Sequence, residues 1–176
     1  MDDRTHLLIS ARDGDRDALA ELVNGLLPDV WRFCASMVGT TDADDATQDT
    51  FVRVWRAANT FRGEAAAKTW VLAIARRACI DLLRRKPRDV HPVDGYETAD
   101  PHDHATSVAL DDLIGRLSPE RRSAFVLTQV LGLSYEQTAE VCGCPLGTVR
   151  SRVARARADL FAAEGDQGQA SARQPG

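Results

Sequence analysis

SYEQTAEVCGCPLGTVRSRVARARADL, residues 134–160, decides how the rest of the chain is read. Ser134 stands three residues before Gln137. At that spacing a capping box forms: the serine oxygen accepts from the third N–H, and the glutamine reaches back to the first. Gly143 supplies a residue that tolerates positive φ where this helix must stop. Pro145 suits the first position of a following helix, where its missing N–H would go unbonded anyway. Val149, Val153, Ala156 and Leu160 recur at i, i+4, i+7 and i+11, one apolar stripe, and Arg150, Ser151, Arg155 and Arg157 lie off it. The pattern is a helix-turn-helix whose second helix is basic, the shape that enters a DNA major groove. Two short helices around a glycine can also be plain core. Four arginines against one acid, Asp159, between Pro145 and Leu160 favour the DNA reading.

Working outward, apolar residues recur at helical spacing nearly throughout, and no Val/Ile/Thr alternation suggests strands. The expectation is an all-α protein of two small helical domains: residues 1–87, an acidic linker 88–106, residues 107–163, and a disordered tail 164–176. Residues 3–12 read as a short helix ended by Gly14, and residues 15–38 as another, which Pro28 restarts or kinks. The helix from Asp42 to about Ala58 has acids in its first turn and an apolar stripe of Phe51, Val54, Trp55 and Ala58. Asp45, Gln48, Asp49, Val52 and Arg56 project on another face. That face is either solvated or a protein-binding surface.

A long helix, AKTWVLAIARRACIDLLRRK, covers residues 67–86, with Val71, Ile74, Ala75, Ala78 and Leu82 as its core side. Phe61 and Trp70 lie among Arg62, Lys68, Arg76, Arg77, Arg84 and Arg85. Aromatics interleaved with cations suit single-stranded nucleic acid, the rings stacking on bases while the cations neutralise phosphates. The plain alternative is core aromatics with solubilising arginines.

Charge is segregated. Overall the chain carries −4, yet residues 61–88 hold eight bases and two acids, and residues 89–112 hold seven acids and no Lys or Arg. Such distribution, not the total, sets where phosphate binds. No run of 18 apolar residues suggests a membrane span, and four cysteines suit a reducing cytoplasm. Cys142 and Cys144 are spaced too tightly for a zinc ribbon and read as filler beside the turn. His91, His102 and His104 lack metal-ligand spacing. No nucleophile–base pair stands out either. The chain reads as a binding protein, not an enzyme, with no cofactor and no metal.

Three blocks, DADDATQDTFVRVWR, TWVLAIARRACIDLLRR and LSPERRSAFVLTQVLGLSYEQTAEVCGCPLGTVRSRVARAR, in that order and spacing, resemble bacterial extracytoplasmic-function sigma factors of the sigma-70 family. The third block is similar to that of the actinobacterial sigma-C group. The resemblance extends over roughly residues 15–162 and implies a promoter-specificity subunit of RNA polymerase. It implies that Asp45, Gln48, Asp49, Val52 and Arg56 dock on the β′ clamp helices of core polymerase, with the β flap as a further contact. By the same resemblance, residues 61–69 capture a flipped base of the −10 element and the helix that follows aids melting. Phe61, Arg62, Lys68, Trp70, Arg76, Arg77, Arg84 and Arg85 are its candidate DNA contacts. Flipping costs a few kcal/mol of unstacking, recovered in a pocket. Thr148, Arg150, Ser151 and Arg155 read the −35 element, some at base edges and some at phosphates. Many members carry Asn at the position of Arg77; a long cation there suits phosphate, which leaves −10 preference open. Partners implied are core polymerase, promoter DNA and an anti-sigma factor, in the cytoplasm and without membrane insertion. The alternative from another class is a stand-alone helix-turn-helix regulator.

About 19 linker residues at ~3.3–3.6 Å each reach roughly 60–70 Å. Elements one and a half duplex turns apart are separated by roughly 50 Å, at ~34–36 Å per turn. Such a tether spans them. Arg150→Ala is expected to relax specificity at one −35 position at a cost of about 1–3 kcal/mol, measured by binding to single-base promoter variants. Unchanged discrimination removes the base contact.

Overall fold

The computed structural model describes residues 2–85 and 112–171, with side chains through residue 163. The first unit holds α1 (Asp3–Arg12), α2 (Arg16–Val38), α3 (Thr40–Ala57), a 3-10 turn (Ala58–Thr60) and α4 (Ala67–Arg85). In the second, helical residues 112–116 precede α5 (Pro119–Phe125), which runs into a π-helical turn (Val126–Val130). Then come α6 (Tyr135–Cys142) and α7 (Leu146–Ser171). Among the described residues there is no strand, so the all-α expectation holds. The linker acids, the three histidines and the start of the helix before residue 112 lie outside the described residues.

Local signals set the boundaries. The Asp15 carboxylate accepts from the backbone N–H of Asp17 and Ala18 and starts α2. α2 runs unbroken through Pro28 instead of restarting there. Pro28 lies on the exposed side, where solvent can take up the carbonyl it leaves without a donor. Gly39, at φ 86°, turns the chain into α3, which begins at Thr40, two residues before the expected Asp42. Ser118 stands at the N-cap of α5, without a side-chain capping bond, and Pro119 at its first helical position. The π turn after it carries a Thr128 hydroxyl that donates to the Ala124 carbonyl at 2.8 Å.

α2 is the spine of the first unit. Leu22, Leu26, Val30, Phe33 and Met37 are all at most 1 % exposed, and they meet Leu8 of α1, Val54 of α3 and Val71 and Leu72 of α4. In α3 the buried side is Ala43, Ala46, Thr47, Thr50 and Val54, mostly small residues that let α2 and α3 pack closely. Trp55 departs from expectation. It is 56 % exposed, not part of a buried stripe, because the core at that level is already filled by Val54 and Ala58.

The two units share one core. Leu113, Ile114, Leu117, Leu127, Leu131 and Val141 belong to the same buried cluster as the residues of α2 and α4. α6 packs directly along α4. α7 continues to Ser171, past Leu160, the last residue of its apolar stripe.

Candidate nucleic-acid interface

The helix-turn-helix is built as its residues require. The Ser134 oxygen accepts from the Gln137 backbone N–H at 3.1 Å, and the Ser134 N–H donates to Gln137 Oε1 at 2.9 Å. Gly143 sits in the left-handed region at φ 60°, ψ 41°, and the next N–H, of Cys144, returns to the Ala139 carbonyl at 3.1 Å. The Pro145 carbonyl then accepts from Thr148 and Val149, starting α7. Val149, Val153 and Ala156 are at most 1 % exposed, and Val149 and Val153 pack on Ala124 of α5.

That packing sorts the four arginines of α7. Arg157 donates to Gln129 Oε1 at 2.6 Å, and Arg152 reaches Cys144 Sγ at 3.5 Å, so both hold the helix within its unit. Asp159 pairs with Arg121 of α5 at 2.5 Å. Arg150, Ser151 and Arg155 are exposed and Thr148 is half-buried, with the Ser151 hydroxyl donating to the Thr148 carbonyl at 2.9 Å. These four form one outward face. Cys142 is buried, and burial pushes its thiol up, away from the reactive thiolate, which fits packing filler.

α4 presents a divided picture. Arg62, Arg77, Arg84 and Arg85 are exposed. Asp81, between them, is held below the usual carboxylate range by its bond to Arg53, 2.8 Å away. The other candidates are occupied. Phe61 is only 3 % exposed and meets Trp70 edge to face, centroids 5.4 Å apart, so its face is not offered to a base in this conformation. Its sequence pattern does not distinguish a stacking ring from a core ring. Lys68 pairs with Asp29 at 2.9 Å and donates to the Leu131 carbonyl at 3.2 Å. Arg76 Nε donates to Ser123 Oγ at 3.3 Å.

Leu131 and Ser123 belong to the second unit, so these two cations are taken up by it. The converse contact comes from Arg122. Its Nη1 donates to the Met37 carbonyl at the end of α2, at 2.7 Å, and its Nη2 donates to the carbonyls of Gly115 and Leu117. Its Nε is buried without a partner, and burial lowers the guanidinium pKa from its ordinary value. The second unit thus covers part of the α4 face and leaves the α7 face open.

A third surface lies on the far side of α2 and α3. A groove of about 740 Å³ is lined by Leu27, Pro28, Trp31, Phe51, Val52 and Trp55, with Gln48 at its edge. Leu27, Val52 and Trp55 are 42 %, 41 % and 56 % exposed, while the Trp31 indole N–H is satisfied by Asp44 at 2.7 Å. Of the five residues expected to face a protein partner, Gln48 and Val52 line this groove. Asp45 and Asp49 do not, Asp49 being paired with Arg53 at 2.8 Å, and Arg56 lines the adjoining hollow that begins at Trp55. Leu27, Trp31 and Trp55 were missed. Their signal was the adjacent apolar pairs Leu26-Leu27 and Val30-Trp31, which make the apolar arc of α2 wider than one packed face needs.

Two helical units, one with a basic helix-turn-helix and one with a cationic helix beside a solvent-facing apolar groove, define a two-headed DNA-binding class. Residues 22–89 match the sigma-70 region 2 family and residues 107–160 the sigma-70 region 4 family. The ECF RNA polymerase sigma factor SigC of Mycobacterium tuberculosis is 42 % identical over 167 residues, covering 90 % of this chain and 89 % of that protein. The structure of CnrH in complex with the cytosolic domain of CnrY aligns at a TM-score of 0.76 and 27 % identity, covering 94 % and 99 % of the two chains. The sigma factor RpoE of Bartonella quintana, solved with the anti-sigma factor NepR, aligns at 0.70 and 27 %, covering 80 % and 92 %. The chain belongs to the extracytoplasmic-function sigma factors of the sigma-70 family and directs transcription initiation. Among the described residues no helix is long and apolar enough to cross a membrane.

Replacing Arg122 with Met should loosen the contact between the two units, since it removes the one Arg122 bond that crosses between them, to the Met37 carbonyl, worth roughly 1.5–3 kcal/mol. Small-angle scattering then reports a larger radius of gyration for the free chain. An unchanged radius contradicts the clasp.

Proposed function

We propose that this chain recruits core RNA polymerase to promoters by docking through the α2–α3 groove, while each unit reads one promoter element. The observation that carries this reading is the placement of three distinct surfaces, one apolar and two cationic, on separate faces of two linked units. The groove has the form that takes an amphipathic helix, with Trp55 and Val52 as apolar anchors and Gln48 among its lining, while Asp45, Asp49 and Arg56 stand on the same helix outside it. The β′ clamp helices of polymerase are the proposed occupant, and the β flap a second contact on the other unit.

Arg150 and Arg155, with Thr148 and Ser151, read the −35 element from α7, the arginines suited to guanine edges or phosphates. Residues 61–69 and α4 take the −10 element, with Arg62, Arg77, Arg84 and Arg85 along the backbone and Trp70 beside the unpaired base. Lys68 and Arg76 join once the second unit has moved away, because both are engaged by it in the closed form. The working boundaries are residues 1–87, a linker 88–106, and residues 107–163.

The chain supplies binding, orientation and strand opening, and polymerase supplies the chemistry, so the role asks for no catalytic group, metal or cofactor here. It acts in the cytoplasm, where promoter and polymerase meet. An anti-sigma factor is the proposed negative partner, by analogy with the sigma factor RpoE solved with the anti-sigma factor NepR. No feature of the fold favours a stand-alone regulator.

Trp55→Ala should weaken binding to purified core polymerase by about 30-fold, near 2 kcal/mol for a buried aromatic anchor. Binding of the isolated chain to −35 DNA should stay unchanged. Equal polymerase affinity for the variant and the wild type places the docking surface elsewhere.

A further inference from the structure

The first turn of α4 has no cap of its own. Trp70 N–H bonds to the Ala66 carbonyl at 3.1 Å, so Ala66 occupies the capping position, and an alanine carries no side-chain acceptor. The Ala67 N–H is one of the four donors that an α-helix leaves without a partner at its start. Ala67 is fully buried, so water does not satisfy it. The acceptor comes instead from the other end of the first unit: the Thr5 hydroxyl takes the Ala67 N–H at 3.0 Å.

Thr5 is itself fixed. It is 3 % exposed, and its backbone N–H donates to the Asp2 carboxylate, the cap of α1, at 2.8 Å. α1 also braces the loop that leads into α4. A Cβ added to Gly63, where φ is +75°, would lie 3.8 Å from the end of the Ile9 side chain. At its start the loop is held by Phe61, packed against Trp70. The segment between Phe61 and Ala67 is therefore pinned at one end by a ring contact and at the other by one hydroxyl.

We infer that Thr5 is a positioning residue for −10 recognition: its hydroxyl, accepting from the Ala67 N–H, fixes where α4 begins and hence how the loop before it is presented to an unpaired base. The inference rests on the reading of residues 61–69 as the −10 loop. Without the hydroxyl, a buried N–H loses its acceptor, and the cheapest remedy is to unwind the first turn of α4 until water reaches it. Unwinding releases the loop at its C-terminal end and moves Lys68 and Trp70 with it. The groove on α2 and α3 and the face of α7 lie elsewhere and stay as they are.

The test uses polymerase holoenzyme assembled with this chain and single-stranded oligonucleotides. One carries the −10 sequence of a promoter it initiates from, and a second carries one changed base. A single mismatch in a recognised site costs about 1–3 kcal/mol, so wild type should prefer the first by at least about fivefold. Thr5→Val, nearly isosteric and lacking the acceptor, should bring that ratio close to one, and Thr5→Ser should restore it. Core-polymerase affinity should be the same for all three. A Thr5→Val holoenzyme that keeps the wild-type ratio overturns the inference, as does a serine variant that behaves like valine, since the methyl group would then be what matters. If Thr5→Val does not fold, Asp2→Ala loosens the same anchor from the surface. A partial fall in the ratio then supports the inference and no change overturns it. Absence of any preference in the wild-type holoenzyme overturns the loop reading, and the inference with it.

Discussion

Each unit of this chain caps a helix of the other with a cation. Arg122 of α5 reaches the Met37 carbonyl at the C-terminal end of α2, and Lys68 of α4 reaches the Leu131 carbonyl just past the π turn. The final carbonyls of a helix have no intrahelical donors and carry the negative end of its dipole, so a guanidinium or ammonium is the partner they lack. The two contacts run in opposite directions across the same boundary. Together with Arg76 on Ser123 and the apolar packing of α6 along α4, they hold the units closed.

The same contacts explain how such a chain can be closed and still act. Lys68 is bonded to the Leu131 carbonyl and paired with the Asp29 carboxylate, and Arg76 is bonded to the Ser123 hydroxyl; we propose that phosphate oxygens compete for both cations. On that proposal, closure and DNA compete for the same side chains of α4. The α7 face is outside that competition. Arg150, Ser151 and Arg155 stay exposed because Arg152 and Arg157 do the internal holding. A closed chain keeps the α7 face available and covers part of the cationic face of α4.

What sequence made legible follows from what is local. The capping box at Ser134, the left-handed Gly143 and the stripe of Val149, Val153, Ala156 and Leu160 are settled by neighbours within a few residues, and the structure bears them out. The cationic side of α4 was equally readable from its period. The pattern leaves Phe61 open between core and base, and places Trp55 in the core, for one reason: an aromatic ring suits a core, a base or a partner surface, and only the packing of distant elements decides which. Phe61 proved buried and Trp55 exposed. Contacts between units leave no periodic trace, so nothing in the pattern marked Arg122 or Lys68 as clasps. The Thr5 hydroxyl, 62 residues from the helix it caps, was invisible for the same cause.

We propose that one chain grips two separated promoter elements by opening a clasp it closes when free. Spin or fluorophore labels at Asp17 in α2 and Ala158 in α7, both exposed, report the separation of the units directly. The free chain should show a single, narrowly distributed distance. In the initiating complex with polymerase and promoter, the separation should lengthen by tens of ångströms, toward the roughly 50 Å between elements one and a half duplex turns apart. A distance that stays unchanged in a complex shown to initiate transcription contradicts the proposal.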